Sequence, residues 1–374
     1  MRILKVRLTN FRNFQDETLE FGARRNLLLG ANAQGKTNVL EAIHLLGVGR
    51  SHREHRDANL VRFGETYYRV EGEFEDIGVR TTIDVTYDEE RKRIRINGKE
   101  SKPSDLIGLV GVVVSSPDDI DLVKGSPGNR RQFLDIAISQ MNRQYLISLQ
   151  KYVRALAQKN KLLKAVQSGR VRASETAVWD KTLVSAGAAI VDARLLFLKD
   201  IGPEVESNFG VISGMRTGID LAYDARGYRP GGDGATAELL TAAMEGHREL
   251  EVARGYSLVG PHVDDFHLLA GERDIRRFGS EGEQRTGVLA LRCAEVTAMK
   301  TKKGRYPIVL LDDVFAELDD ARTKALTALI SNYDQIVLTS SRPAPAEADD
   351  LRTISIVDGK VEGGGSARES GEHT

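Results

Sequence analysis

One run of residues, LLLGANAQGKTNVLEAIHLL at 27–46, restricts the fold of this chain more than any other. Leu27, Leu28 and Leu29 read as the end of a buried strand, while Val39, Leu40, Ile43 and Leu46 recur at helical spacing. Between them, residues 30–37 fit the pattern G-x-x-x-x-G-K-[ST]. Gly30 and Gly35 let the backbone turn so that the N–H groups of Ala31, Asn32, Ala33 and Gln34 point inward. The helix N-terminus at Lys36, Thr37 and Asn38 adds its positive end. Such a concavity suits a polyphosphate. Lys36 is placed to reach the terminal phosphates, and the Thr37 hydroxyl to ligate Mg²⁺ carried by a nucleotide.

A loop of this kind needs a carboxylate on a neighbouring buried strand to hold the metal through its water shell. The run IVLLDD at 308–313 supplies one: Asp312 is the expected metal-side acid, and Asp313 stands where a second carboxylate orients or deprotonates an attacking water. An acidic pair after a strand also suits a helix N-cap, but a complete loop upstream favours the metal reading. A further segment, FGSEGEQRTGVLALRCAEV at 278–296, puts Ser280 and Gly282 just before a strongly apolar helix. A hydroxyl, free N–H groups and a helix dipole converge there, which makes a second phosphate-binding end.

Around these landmarks the chain changes texture twice. RILKVRLTNF and DETLEFG precede the loop as strands, and TYYRVEGEFE, VRTTIDVTYD and KRIRING follow its helix as a meander with an Asn97-Gly98 turn. GRSHREHRDANLVRFG lies between, basic and polar, and His52 and His55 read there as members of a solvated loop. From about Leu109 helices dominate. Tyr145, Leu149, Tyr152, Leu156, Leu163 and Val166 keep a 4-3-4 spacing, broken where Lys159 takes an apolar place. Trp179, Leu183, Ala186, Ile190, Ala193 and Phe197 repeat it, with Trp179 as an anchor, so the two predict a short antiparallel helical hairpin. ATAELLTAAMEGHRELEVAR predicts one more helix, and strands return from residue 255. YPIVLLDD and QIVLTSS are nucleotide-type strands near the far end of the chain. One α/β sheet built from both ends and interrupted by an insertion explains this order. The expected divisions are 1–108 and 255–362 for the α/β part, 109–254 for the inserted helical part, and a disordered tail at 363–374.

Composition narrows the field further. The chain has 374 residues with 53 Lys and Arg against 54 Asp and Glu. That balance argues against a surface that is basic throughout and leaves room for a local basic patch. Its one cysteine, Cys293, sits in an apolar helical run and reads as core; a disulfide framework and a cysteine zinc site are both excluded. No apolar run approaches the ~20 residues that span a bilayer, and MRILKVRLTNF alternates like a strand, so a cytoplasmic protein with no membrane partner is expected. Basic clusters at Arg91, Lys92, Arg93 and Arg95 and at Arg130 and Arg131 are candidate phosphate contacts, although a charge run is more often a solvated face.

The motifs together resemble those of a known group. SEGEQ is similar to the signature of ATP-binding-cassette (ABC) ATPases, and DDVFAELDDA to their Walker B strand and the loop after it. NFRNF at 10–14, GANAQGKTNVLEAI, SPDDIDLVKGSPGNRRQFLD, GYSLVGPHVDDF, GSEGEQRT and LLDDVFAELD, in that order, resemble the bacterial RecF family within the SMC and Rad50 group. That resemblance implies an ABC-ATPase head with a Rad50-like first lobe and an inserted, mainly helical second lobe. It implies ATP and Mg²⁺ bound by residues 30–38, Arg12 near the phosphates, and Ser280 and Gly282 on the γ-phosphate of a nucleotide held by a second copy. It further implies an ATP-dependent homodimer on double-stranded and gapped DNA, with RecR and RecO as partners in loading RecA. Glu281 and Glu283 make this signature more acidic than the family pattern, and Val263 replaces a typical arginine. Thr339 and Ser340 occupy the place of a transporter's switch histidine, so slow hydrolysis is expected. A Rad50-like nuclease head would need long heptad arms and a C-x-x-C hook, and a transporter ATPase would have the histidine; both fit less well.

Overall fold

The computed structural model describes residues 1–89, 91–214, 218–231, 234–343 and 351–362; the tail expected at 363–374 lies outside them. Two compact units are present, one from Met1–Asp119 with Arg292–Thr374 and the other from Ile120–Leu291.

The first unit holds two sheets. Its antiparallel sheet has the order β2-β1-β4-β5-β6-β7, from β1 (Arg2–Phe11), β2 (Phe14–Glu20), β4 (Tyr68–Asp76), β5 (Val79–Asp88), β6 (Arg91–Ile96) and β7 (Lys99–Ser101). Strict alternation creates it: along β4, Tyr68, Val70, Gly72 and Phe74 are buried while Arg69, Glu71 and Glu73 face outward. The second sheet runs β15-β14-β3-β13-β12-β8. Here β3 (Arg25–Leu29) lies between β13 (Gln335–Ser340) and β14 (Leu351–Val357), parallel to both. On the far side of β13, β12 (Ile308–Leu311) and β8 (Val112–Ser115) continue the parallel order, and β15 (Lys360–Glu362) closes the other edge as a hairpin. Strands from both ends of the chain thus share one sheet, as the sequence led us to expect. Continuous apolar runs such as Ile308 to Leu311 are buried on both faces, the pattern a parallel sheet requires.

Helix α1 (Lys36–Val48) packs against strands of both sheets and is apolar almost all round, so it lies inside a shared core with Phe14, Val70, Phe74, Val85, Leu310, Val337 and Ile354. A short α2 (Pro103–Leu106) leads into β8. The pairing of Val112 with Ile308 ties β8 to the first unit, so the inserted unit starts after residue 119 and not at the expected 109.

The second unit is mainly helical. It contains α3 (Pro127–Met141), α4 (Arg143–Gln167), α5 (Asp180–Ser213), α6 (Thr236–Gly246), α7 (Arg248–Arg254), α8 (Ile275–Phe278) and the start of α9 (Glu281–Lys303), with α10 (Asp320–Ile330) belonging to the first unit. A three-stranded sheet of β9 (Ile219–Asp224), β10 (Asp265–Ala270) and β11 (Arg273–Asp274) completes it. Because β10 pairs with β9 along its full length, residues 255–291 fall in this unit, whereas the sequence reading put them in the α/β part.

Helices α4 and α5 form the expected hairpin. Lys159, which broke its apolar spacing, is buried and held by Asp180 at 3.0 Å and Glu251 at 2.8 Å. Trp179 is a correction: it ends a 3₁₀ turn just before α5 and stays half-exposed, because the anchor role falls to Leu183 and Ile190 one turn and more downstream. The single helix expected at 235–254 is two, broken at His247. Cys293 is buried as expected, and burial pushes its thiol up to about 12.

Candidate functional site

In the first unit the loop leaves β3 at Gly30, where an added Cβ would run into the Ile356 carbonyl. It ends at Gly35, whose φ of +111° caps α1 without a side chain. A Cβ at Gly35 would lie 2.7 Å from the Asn13 amide. Asn13 is the loop's clamp: its Nδ2 donates to the Gln34 carbonyl at 2.9 Å, and its Oδ1 accepts from Asn38 Nδ2 at 2.9 Å. From the other side the Gly359 N–H donates to the same carbonyl at 3.2 Å, and the Asp358 N–H to the Gln34 side chain. Ala33 sits at φ +65°, a conformation costly for a non-glycine residue that the clamp sustains. No side chain caps α1 and its first turn holds no acid, so its leading N–H groups and dipole face the loop uncompensated.

Lys36 is 7% exposed, and its ammonium donates to the carbonyls of Gly30 at 2.7 Å and Ala31 at 2.8 Å. Burial lowers its pKa, against an opposing pull from Asp313 and Asp312. Next to it, Thr37 Oγ1 donates to Asp312 Oδ1 at 2.9 Å, and Thr339 Oγ1 donates to the same oxygen at 2.8 Å. Burial raises the Asp312 pKa, while these two hydroxyls hold it back. Thr37 and Asp312 are 275 residues apart and meet because β3 and β12 flank β13 in one parallel sheet. A hydroxyl and a carboxylate are hard oxygen donors, the set that Mg²⁺ takes. Asp313 is half-buried at φ +50°, and its N–H donates to Thr339 Oγ1 at 2.9 Å.

Arg12 is held by partners within the first unit. It makes a two-pronged pair with Glu41 of α1, both contacts at 2.8 Å, and a third bond to the Asn59 carbonyl at 3.1 Å. Glu41 is fully buried and also accepts from Ser51, whose Oγ in turn accepts from the Arg53 and Glu54 N–H groups. A lone carboxylate in an apolar helix must find partners, and that signal was available at Glu41 in the sequence. Asn13 carried no such signal.

The segment 50–57 is less solvated than its polarity led us to expect. His52 packs edge-on against His44 of α1, ring centroids 5.1 Å apart, and both its ring nitrogens are buried without a hydrogen-bond partner among the described residues. Burial drives both histidines down to about 3. His55 is exposed, as expected.

In the second unit, Ser280 and Gly282 stand at the start of α9. Ser280 and Glu283 form a reciprocal cap: the Ser280 N–H and Oγ each donate to Glu283 Oε2 at 2.8 Å, and the Glu283 N–H returns to Ser280 Oγ at 3.2 Å. Ser280 is exposed. Glu283 therefore turns back on its own helix end, a capping role hidden in the acidic signature. Glu281 is exposed and pairs with Arg285 at 3.0 Å. After Asp313, Asp319 caps α10 through the Arg322 N–H at 2.8 Å.

Two candidate phosphate contacts are corrected. Arg130 is 2% exposed, paired with Asp265 at 2.7 and 2.8 Å and bonded to the carbonyls of Leu122, Val123 and Gly125, so it has nothing to offer a nucleic acid. Arg131 is half-buried on the Asp264 carbonyl at 2.9 Å. Arg91, Arg93 and Arg95 alternate outward along β6 and are exposed, with Arg93 paired to Asp88; Lys92 turns inward to Asp57 at 2.7 Å.

Comparison with known proteins agrees with this architecture. Residues 2–362 match the model of the RecF/RecN/SMC N-terminal domain. A DNA replication and repair protein RecF from Moorella thermoacetica is 38% identical over 341 residues, covering 91% of this chain and 90% of its own. A solved structure of the recombination mediator protein RecF with ATP, from the RecFOR pathway, superposes with a TM-score of 0.89 at 30% identity, covering 96% of each chain. The Smc head domain of Pyrococcus furiosus shares the fold at 18% identity, with a TM-score of 0.52. The chain belongs to the RecF family of DNA replication and repair proteins and has the ABC-ATPase head fold of the RecF and SMC group.

Proposed function

We propose that this protein is an ATP-gated DNA clamp of recombinational repair, in which nucleotide state sets dimerisation and dimerisation sets the hold on DNA. The observation that carries the reading is the Thr37–Asp312 bond at 2.9 Å beside the uncapped start of α1. It brings the two metal-side groups together under a loop whose lysine, among the described residues, is bonded to neutral carbonyls. On this reading, residues 30–38 cradle the phosphates of ATP, Lys36 neutralises the terminal ones, and Thr37 and Asp312 hold Mg²⁺. Asp313 aims the attacking water. Bound Mg²⁺ supplies charge neutralisation on the phosphates; the chain's own groups supply position.

Ser280 and Gly282 meet the γ-phosphate of the nucleotide in a second copy. ATP that binds only the closed pair stabilises it by mass action, and hydrolysis, slow in the absence of a switch histidine, releases it. The RecF–ATP relative supports the nucleotide, and its RecFOR pathway supports RecR and RecO as partners; loading of RecA at gaps is what the family resemblance implies. Arg91, Arg93 and Arg95 are the remaining candidates for backbone contacts to double-stranded or gapped DNA, in the cytoplasm and without nuclease chemistry. Arg12, tied to Glu41, reaches phosphate only by exchanging that partner.

The test is sedimentation and DNA binding with ATP, with ADP and without nucleotide. We expect dimer and tight DNA binding with ATP alone, and loss of the ATP-dependent gain in Lys36→Arg and Ser280→Arg. Equal dimer fractions in all three states overturn the clamp.

A further inference from the structure

We infer that Thr339 is a positioning residue for both acids of the site, acting through one hydroxyl. The inference rests on the ATPase reading above. Thr339 lies at the end of β13, 3% exposed, between the strand that carries the loop and the strand that carries the acids. Its Oγ1 accepts the Asp313 N–H at 2.9 Å, which occupies a lone pair and leaves its single proton for Asp312 Oδ1 at 2.8 Å. The hydroxyl is therefore polarised in one direction, from the Asp313 backbone to the Asp312 carboxylate.

Each end of that relay matters. Asp312 Oδ1 has two donors, Thr37 and Thr339. With Mg²⁺ bound, Thr37 would offer its oxygen to the metal, which would leave Thr339 as the donor that holds the carboxylate against rotation. At the other end, Asp313 sits at φ +50°, a region that disfavours a side chain. Its N–H bond to Thr339, together with the Ala316 N–H to its own carbonyl at 3.2 Å, fixes the direction in which its carboxylate leaves the strand. A residue that lacks a switch histidine's ring thus still couples the strand end to the reacting groups, from beneath the acids.

Two substitutions separate this from a packing role. Thr339→Val keeps the shape and removes the hydroxyl; Thr339→Ser keeps the hydroxyl and removes the methyl. Binding of a fluorescent ATP analogue is measured with Mg²⁺ and with chelator, alongside the Mg²⁺ dependence of hydrolysis and the thermal midpoint. For Thr339→Val we expect unchanged affinity in chelator. Its Mg²⁺-dependent gain in affinity and its turnover should both fall by roughly 10- to 100-fold. Thr339→Ser, which keeps the hydroxyl, should restore most of both. Val and Ser variants with the same Mg²⁺ response overturn the inference. If the Val variant does not fold, Thr339→Ala against Thr339→Ser decides in the same way: equal Mg²⁺ responses overturn it. Absence of ATP binding by the unaltered protein sinks the ATPase reading itself, a separate outcome.

Discussion

Two buried lysines, one in each unit, show how differently this protein treats a charge it has removed from water. Lys159 of α4 lies between two carboxylates, Asp180 and Glu251, and Glu251 is itself bonded to the Ser257 hydroxyl and the Leu258 N–H. Arg248 of α7 pairs with Asp180 as well, at 3.0 Å, so opposite charges meet on both sides and the product is a fixed junction of α4, α5 and α7. Among the described residues Lys36 of α1 bonds to the Gly30 and Ala31 carbonyls, while Asp312 and Asp313 act on it from farther away. Neutral carbonyls take two of its three protons and leave its charge unpaired. A paired charge holds elements together; a buried cation solvated by its own loop is one an anion can claim.

The sharpest way to break this contrast is to remove each charge in turn. Lys159→Met leaves the buried Glu251 without its cation and Asp180 with Arg248 alone, and should destabilise the protein by about 3–5 kcal/mol in urea unfolding. Turnover per folded molecule should be unchanged. A variant as stable as the parent would mean that the cluster is not the closed structural unit described. Lys36→Met should do the reverse. Hydrolysis should fall by roughly 10²- to 10³-fold, the scale for a single preorganised donor, while stability without nucleotide moves by less than about 1 kcal/mol. A large loss of stability in Lys36→Met would erase the distinction between the two sites.

The histidine pair under segment 50–57 is a third case, a buried base with no counter-charge. Both His44 and His52 are held down to about 3 by burial, against 6.5 in an unfolded chain. Lowered values mean that the unfolded state takes up protons first. The stability they permit is complete above pH ~6.5 and is lost as pH falls from there towards 3, by about 1.4 kcal/mol per pH unit for each ring. Unfolding at pH 7.0 and 5.5 should therefore show a loss of about 2–3 kcal/mol that His44→Gln, His52→Gln lessens. An unchanged acid limb in the double variant would place the proton uptake elsewhere.

What could be read from the sequence follows the range of the interactions involved. The loop, the acids and the parallel sheet were legible because each rests on a local pattern: an apolar run, a glycine turn, a helical period. Arg130 and Arg131 were misread for the same reason. NRRQF looks like a basic cluster until Asp265, 135 residues later, is seen to claim Arg130. Asn13 and Thr339 were not legible as working residues, since one amide and one hydroxyl become a clamp and a relay only when β1, β13 and α1 are brought together. The edges of the inserted unit failed on strand pairing, which periodicity does not encode: β8 looks like a new beginning but completes the old sheet.

Glu283 supplies the smallest and most discriminating effect, because its two readings diverge under one atom's change. As a cap it accepts from the Ser280 N–H and Oγ through Oε2, and a glutamine can accept there through its amide oxygen. Glu283→Gln should therefore leave α9 within about 0.5 kcal/mol of its present stability. As an acid beside a γ-phosphate, the same group repels the anion that Ser280 is proposed to meet, and losing its charge should tighten the ATP-bound dimer. Sedimentation with ATP at two salt concentrations separates the two: tighter assembly that fades as salt rises marks relief of repulsion. A dimer unaffected by the substitution would mean that the cap has already turned this charge away from the interface, so that the acidic signature costs the clamp nothing.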